Sequence, residues 1–224
     1  MQNTYEEGRI LLINKPVNWT SFDVVKKLRY QLKVKKIGHA GTLDPLATGL
    51  LIIGTGKFTK KLNELQGLDK TYEGIMEIGK TTPSYDLETD FDSETDWSVV
   101  TPEDLERSRQ SLTGDILQVP PAHSAIKVDG ERAYKKARKN KEVRLEPRSL
   151  KIHSFEIDSS RLPEIMFKVS CSKGTYIRSL AHDFGKNLGV GGYLKKLVRT
   201  GVGDYKLSDA TNLEDFIQQH NEGN

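Results

Sequence analysis

Hydrophobic and polar positions along this chain alternate between two rhythms, and neither lasts long. Ile10-Leu11-Leu12-Ile13 is an unbroken apolar run. It predicts a short buried strand, closed by Lys15-Pro16 because proline offers no N–H to a ladder. From Phe22 the apolar residues Val24, Val25, Leu28 and Leu32 fall at helical spacing, with Thr20 or Ser21 placed as the N-cap. Leu50 to Ile53 is wholly apolar and predicts a buried strand or turn. Phe58 to Leu65 predicts an amphipathic helix with Leu62 and Leu65 inward. Lys70 to Lys80 alternates, so Tyr72, Gly74, Met76 and Ile78 share one face of a half-buried strand.

The second half continues in the same short units. Ser84 to Asp96 reads as an acidic loop. Thr101-Pro102-Glu103-Asp104 is a helix start with a threonine cap, proline at the first position and acids in the first turn; that helix should stop near Gly114. A short strand into the Asp129-Gly130 turn, a basic helix over about 132–139, and strands near 143–145, 149–157 and 164–171 follow. After Gly174 a helix carries Tyr176, Ile177, Leu180, Ala181 and Phe184. Tyr193 to Val198 reads as a short element, Gly201 to Lys206 as a last strand, and Leu213 to Gln219 as a terminal helical turn. Strands outnumber helices, and strict strand–helix alternation is absent. The expected fold class is α+β, with a central mainly antiparallel or mixed β-sheet flanked by helices. No composition break divides the chain, so residues 1–213 are expected as a single domain with 214–224 as a tail.

Charge changes this picture by its distribution. The net formal charge is only +3. Yet Thr81 to Glu106 holds nine acidic residues and no lysine or arginine, whereas Glu131 to Lys151 holds nine basic residues against three acidic. Smaller basic groups are Lys33, Lys35, Lys36 and Lys195, Lys196, Arg199. These are either ordinary solvated faces or a cationic side suited to a phosphate backbone. Cys171 is the only cysteine, which excludes an internal disulfide and a cysteine-rich zinc site. No apolar leader and no run long enough to span a bilayer is present, so a cytoplasmic protein without membrane contact is expected.

The candidate chemistry centres on Gly38 to Gly56, where Asp44 is the one acid among five glycines, with no other aspartate, glutamate, lysine or arginine until Lys57. Asp44-Pro45 serves a turn well. Equally, the segment could present a lone carboxylate into a cleft. Gly54-Thr55-Gly56-Lys57 is not a phosphate loop, since Leu51 and Phe58 stand where that motif needs glycine and a hydroxyl residue. The five histidines are scattered without metal-ligand spacing. Cys171 reads as buried and structural rather than nucleophilic, and no Gly-x-Ser-x-Gly elbow appears. Carboxylate chemistry remains, beside a basic surface and tyrosines (Tyr72, Tyr134, Tyr176) able to stack on bases.

Gly38-His39-Ala40-Gly41-Thr42-Leu43-Asp44-Pro45-Leu46-Ala47-Thr48-Gly49 resembles the catalytic motif of the TruB family, the bacterial tRNA pseudouridine-55 synthases. Leu12-Ile13-Asn14-Lys15-Pro16, Lys70-Thr71-Tyr72-Glu73, the block from Pro120 to Tyr134, and Ser170 to Leu180 resemble further motifs of that family in order, covering about residues 9 to 210. The resemblance implies a pseudouridine-synthase-like fold and isomerisation of a uridine in the T-loop of tRNA, without cofactor or metal, by a protein expected to act as a monomer. It implies Asp44 as nucleophile, Arg178 as its cation, and Tyr72 stacked on the flipped base. Tyr176 and Leu197 would line the uracil pocket, and His39 would contact the RNA.

Two departures from the family pattern stand out. Thr81-Thr82-Pro83-Ser84-Tyr85-Asp86-Leu87-Glu88-Thr89 keeps the family's Asp but lacks its closing glycine, and no separate C-terminal RNA-binding (PUA) domain is expected. Two other readings compete with the synthase. One is an RNA-binding protein without catalysis, against which the intact Asp44, Tyr72 and Arg178 speak. The other is a glycosidic-bond hydrolase, which would need a second carboxylate beside Asp44.

Overall fold

The structure is a computed structural model and describes residues 4–124, 126–128, 130–133, 136 and 145–222. In chain order the elements are α1 (Thr4–Glu7), β1 (Ile10–Lys15), α2 (Ser21–Leu32), β2 (Ile37–Ala40), β3 (Thr48–Thr55), α3 (Leu62–Gly67) and β4 (Lys70–Ile78). Then come β5 (Lys80–Thr81), β6 (Ser93–Glu94), α4 (Pro102–Ser111), β7 (Gly114–Gln118), β8 (Lys127–Val128), β9 (Glu131–Arg132), β10 (Arg148–Arg161) and β11 (Glu164–Cys171). The last are α5 (Ile177–Asn187), β12 (Gly192–Val202), β13 (Tyr205–Lys206), β14 (Thr211–Asn212) and α6 (Leu213–Glu222). The basic helix expected over 132–139, Tyr134 with it, and the strand expected near 143–145 fall largely outside the described residues. The chain forms two compact units, Met1–Glu73 with Leu197–Asn224, and Gly74–Lys196. It passes from one to the other within β4 and returns within β12.

In the first unit β3 is the organising strand. It runs antiparallel to β1 and β2 and parallel to β12, and β14 lies parallel to β1 on the far side. Strand β3 is buried on both faces. Leu51 and Ile53 join Val24, Val25, Leu28 and Leu32 of α2 and Leu213 of α6 in one core cluster. Leu50 and Ile52 join Ala40, Leu65 and Val202 in another. This explains the unbroken apolar run: a strand covered on both sides has no polar face to show, and each buried Leu or Ile contributes about 2 kcal/mol. Helix α2 starts as its sequence predicts. Thr20 caps it in a reciprocal box, with the Thr20 hydroxyl accepting from the Asp23 N–H at 3.0 Å and the Asp23 carboxylate accepting from the Thr20 N–H at 3.0 Å.

In the second unit β10 pairs antiparallel with β11 and β7. Phe155 of β10 meets Phe167 and Phe184 edge-on, with ring centroids 6.2 and 6.0 Å apart. Cys171 is buried and unbridged, in keeping with a packing role. The sheets are mixed in the first unit and antiparallel in the part of the second just described, so the α+β expectation stands. Two local expectations do not. Residues 192–202 form one strand where the pattern predicts two elements around Gly201. The glycine pairs with Lys206 and stays in the ladder, so it does not break it. The acidic stretch over 84–96 is largely exposed, as a loop should be, but it is not wholly irregular. Thr82, Ser84 and Asp86 are buried, and β5 and β6 pair across it. Lys195 faces Glu77 at 2.7 Å and Glu164 at 2.5 Å, which makes it a structural cation and not a free phosphate contact.

Thr20→Ala removes the reciprocal cap of α2 and is expected to lower unfolding free energy by about 1 kcal/mol. Urea titration should show a lower midpoint with an unchanged slope. An unchanged midpoint would mean that the box contributes nothing.

Candidate active site

Asp44 lies in the turn between β2 and β3, where the carbonyls of Gly41, Leu43, Asp44 and Pro45 each accept a hydrogen bond. The Asp44 carbonyl accepts from the Ala47 N–H at 3.1 Å, and the Pro45 carbonyl accepts from the Asn18 N–H at 2.8 Å. Ser21, the first residue of α2, receives the Leu43 N–H at 2.9 Å and donates its hydroxyl to the Leu43 carbonyl at 3.2 Å. Leu43 and Ala47 are buried and plug the turn into the core, while Asp44 itself is half-buried. Gly49 follows at φ +105°, and a Cβ there would run into the Arg199 carbonyl oxygen across the β3–β12 pair.

Two buried cations lie against this turn. Lys15 is 0 % exposed and donates to the carbonyls of Pro16 (2.9 Å), Trp19 (2.6 Å) and Pro45 (3.3 Å). Burial lowers its pKa to about 8, against the opposing pull of the Asp44 charge; Arg199 adds to the lowering. Arg199 is 1 % exposed; its Nε donates to the Leu50 carbonyl at 2.8 Å and its Nη2 to the Gly41 carbonyl at 3.1 Å. The sequence pattern places Arg199 on a phosphate-binding surface, and the structure corrects this. The overlooked signal is period two: Arg199 stands two residues after Leu197, on the same inward face of β12. His39 is half-buried in β2. Burial lowers its pKa, with the Arg199 charge acting in the same sense, so its imidazole is neutral at pH 7. Tyr72 on β4 and Leu197 on β12 are each 8 % exposed. His39, Asp44, Tyr72 and Leu197 thus belong to the first unit.

Tyr176 and Arg178 belong to the second. Tyr176 is the residue before α5, half-buried, and the buried Gln118 side chain of β7 brackets its backbone. The Gln118 oxygen accepts the Tyr176 N–H at 2.8 Å, and its amide donates to the Tyr176 carbonyl at 3.1 Å. This fixes where α5 begins and so where Arg178 points. Arg178 is only 3 % exposed. Its Nη1 donates to the Ser84 carbonyl and its Nη2 to the His123 carbonyl, both at 3.1 Å, and its Nε lies 3.6 Å from the Asp86 carboxylate. From the residues alone, a surface arginine facing Asp183 or a phosphate is the plainer expectation; the structure buries Arg178 and sets it beside the Asp86 carboxylate of the acidic loop. That loop is held in turn. Tyr85, at φ +65°, stacks on His182 with centroids 3.8 Å apart, and the Tyr85 carbonyl accepts from the Leu194 N–H at 2.9 Å. Asp86, Gln118 and Lys15 are residues whose side-chain placement the sequence does not announce, whereas the alternation along β12 does announce that of Arg199.

Among the described residues, no group of three or more His, Cys, Asp or Glu side chains is arranged to hold a metal ion, and no helix is long and apolar enough to cross a membrane.

Residues 29–177 match the profile of the TruB family pseudouridylate synthase N-terminal domain, and residues 178–223 that of the tRNA pseudouridylate synthase B C-terminal domain. The chain is 52 % identical to the tRNA pseudouridine synthase B of Flavobacterium johnsoniae over 219 residues, covering 95 % of this chain and 96 % of that one. It is 49 % identical to the protein of the same name from Bacteroides fragilis, over 96 % of this chain and 94 % of that one. A chain in the crystal structure of a Cbf5–Nop10–Gar1 complex superposes with a TM-score of 0.75 at 27 % identity, covering 96 % of this chain; this chain spans about half of that one, 54 %. The matches define an isomerase of the pseudouridylate synthase class. Within that class, the chain belongs to the TruB family.

Replacing Lys15 by Met removes three donations to the carbonyls of the half-buried Pro16, Trp19 and Pro45 and should cost about 1–3 kcal/mol at pH 7. The pH dependence carries the specific signature. Because the folded pKa lies below the ordinary 10.5, the unfolded state binds more protons between about pH 8 and 10.5, and native stability rises with pH across that window. The wild type should gain on Lys15→Met there when unfolding free energies are compared, and a flat difference would refute the depressed pKa.

Proposed function

We propose that this chain converts uridine-55 in the T-loop of tRNA to pseudouridine. The observation that carries this reading is identity of about half of all positions, over nearly the whole of both chains, with proteins named tRNA pseudouridine synthase B. In this reading the C1′–N1 bond of the uridine breaks, the uracil turns, and a C1′–C5 bond forms. The proton leaving C5 balances the one gained at N1, so substrate and product are isomers, with no redox step or outside group. Asp44 is the nucleophile. The target base leaves its stack to reach it, at a cost of a few kcal/mol, and Tyr72 stacks on the flipped base to offset part of that cost.

Arg178 is the guanidinium that favours the ionised carboxylate. Tyr176 and Leu197 wall the uracil, and His39 contacts the RNA as a neutral donor or acceptor. What supports Asp44 in this role is its mounting. The backbone around it is fixed by Lys15, Asn18, Ser21 and Arg199, so a carboxylate projecting from it need not reorganise to react. The chain acts on tRNA as a monomer and without a cofactor.

Asp44→Asn is expected to reduce pseudouridine formation to background while tRNA affinity stays within about threefold. Single-nucleotide mapping of pseudouridine in a tRNA transcript tests reaction and position together. Normal product from the variant would remove Asp44 from the chemistry, and product at another position would refute the uridine-55 assignment. Arg178→Lys should lower kcat by roughly 100-fold while changing Kd little, because a point charge cannot reproduce the guanidinium fork. Equal losses in both would reduce Arg178 to a binding contact.

A further inference from the structure

Helix α2 turns its apolar face inward through Val24, Val25, Leu28 and Leu32, yet its outer face is not plainly polar. Phe22 is 61 % exposed and Tyr30 is 82 % exposed. Together with Val17, just upstream, they are the large hydrophobic side chains left exposed among the described residues of the first unit. Phe22, Lys26 and Tyr30 stand at i, i+4 and i+8, so they form one stripe, about 12 Å long at the helical rise. Lys26, Lys27, Arg29, Lys33, Lys35 and Lys36 are all exposed on α2 and the turn after it. The only acid on that stretch, Asp23, is engaged by the Thr20 hydroxyl and N–H in the helix cap. Beside Tyr30 opens a hollow of about 450 Å³ lined by Asn18, Trp19, Asp23, Lys26, Lys27 and Tyr30.

We propose that this face of α2 is a second RNA-binding surface, taking an unpaired stretch of RNA other than the target uridine. A base stacks on Tyr30 over the hollow, another packs on Phe22, and the lysines between and beyond them take the flanking phosphates. The composition selects this partner. Protein–protein interfaces are depleted of lysine at their centres, whereas sequence-tolerant binding of single strands combines aromatic platforms with a cationic track. The proposal rests on the reading that the substrate is RNA. The surface is not part of the Asp44 turn, which α2 meets through Ser21 on its buried side.

The test uses the full chain and two probes, a ten-nucleotide oligouridylate and a complete tRNA transcript. The double variant Phe22→Ala/Tyr30→Ala alters only exposed side chains and should keep the wild-type unfolding midpoint. Its affinity for both probes should fall about fivefold or more, the lower end of what removing one base stack costs. Lys26→Ala/Lys33→Ala should weaken binding and make the salt dependence shallower, by about 0.7 in slope for each phosphate no longer neutralised. Unchanged affinities in both variants would overturn the proposal. So would a wild-type dimer in solution that Phe22→Ala/Tyr30→Ala dissociates, because the stripe would then serve a second copy. Pseudouridine mapping is scored separately. A wild type that binds both probes through this face but modifies no uridine would refute the proposed reaction and leave the surface standing.

Discussion

Burying a cation is expensive, and the first unit buries two against one turn. Lys15 and Arg199 are among its largest fully enclosed side chains. Desolvation of each costs several kcal/mol unless hydrogen bonds and opposite charge offset it. Here the offset comes chiefly from backbone carbonyls, those of Pro16, Trp19 and Pro45 for Lys15 and of Gly41 and Leu50 for Arg199. The consequence runs both ways. The carbonyls make the cations tolerable, and the cations make any other course of the turn costly, because a shift of Gly41 or Pro45 would strip a buried charge of a partner. Asp44 is therefore placed by its neighbours' backbone. A turn residue and a reactive carboxylate are compatible readings of it, since the turn is what aims the acid.

The second unit uses the same device on a different loop. Arg178 spends two of its donors on the carbonyls of Ser84 and His123 and sets its Nε near Asp86. A guanidinium suits this work because its donors lie in one rigid plane, so holding two carbonyls fixes its own orientation. The start of the acidic stretch, Ser84 and Asp86, is anchored on that plane. Thr82 and Ser84 donate their hydroxyls to the Asp86 carbonyl, at 2.7 and 3.1 Å, and the Asp86 carboxylate accepts the Glu88 N–H at 2.9 Å. The missing family glycine is no obstacle in this arrangement, because the left-handed position of the loop falls on Tyr85, where stacking on His182 offsets its strain.

The periodic parts of the fold were legible because period and burial share one cause. The α2 cap, the doubly buried β3, the alternating β4 and the α4 start all follow from patterns a few residues long. What escaped was charge inside the protein. Arg199 and Asp86 look, by residue type, like surface groups, and their buried placement depends on partners far away in the chain; Lys15 is buried on two carbonyls close in sequence and on the Pro45 carbonyl thirty residues on. Arg199 was the recoverable case, since strand alternation with Leu197 points it inward. Asp86 was not recoverable from spacing, because its partner is ninety-two residues further on and nothing local marks it. Gln118 is similar: an amide that imitates a strand neighbour for Tyr176 has no signature in sequence.

Helix α2 joins these arguments. Its first residue, Ser21, holds Leu43 of the Asp44 turn through both backbone groups, and its cap fixes where that residue sits. Its core face is locked by Val24, Val25, Leu28 and Leu32, so the twelve residues move as one rod. Whatever binds Phe22 and Tyr30 on the outer face is thereby held at a fixed distance from the turn. A flexible loop carrying the same aromatics would lose that register to its own entropy. On the readings proposed above, a rigid amphipathic helix with one end at the Asp44 turn and an RNA-binding outer face would act as a ruler. It would favour RNA whose target uridine and unpaired segment lie at the matching separation, and a substrate lacking either would forgo one of the two contacts.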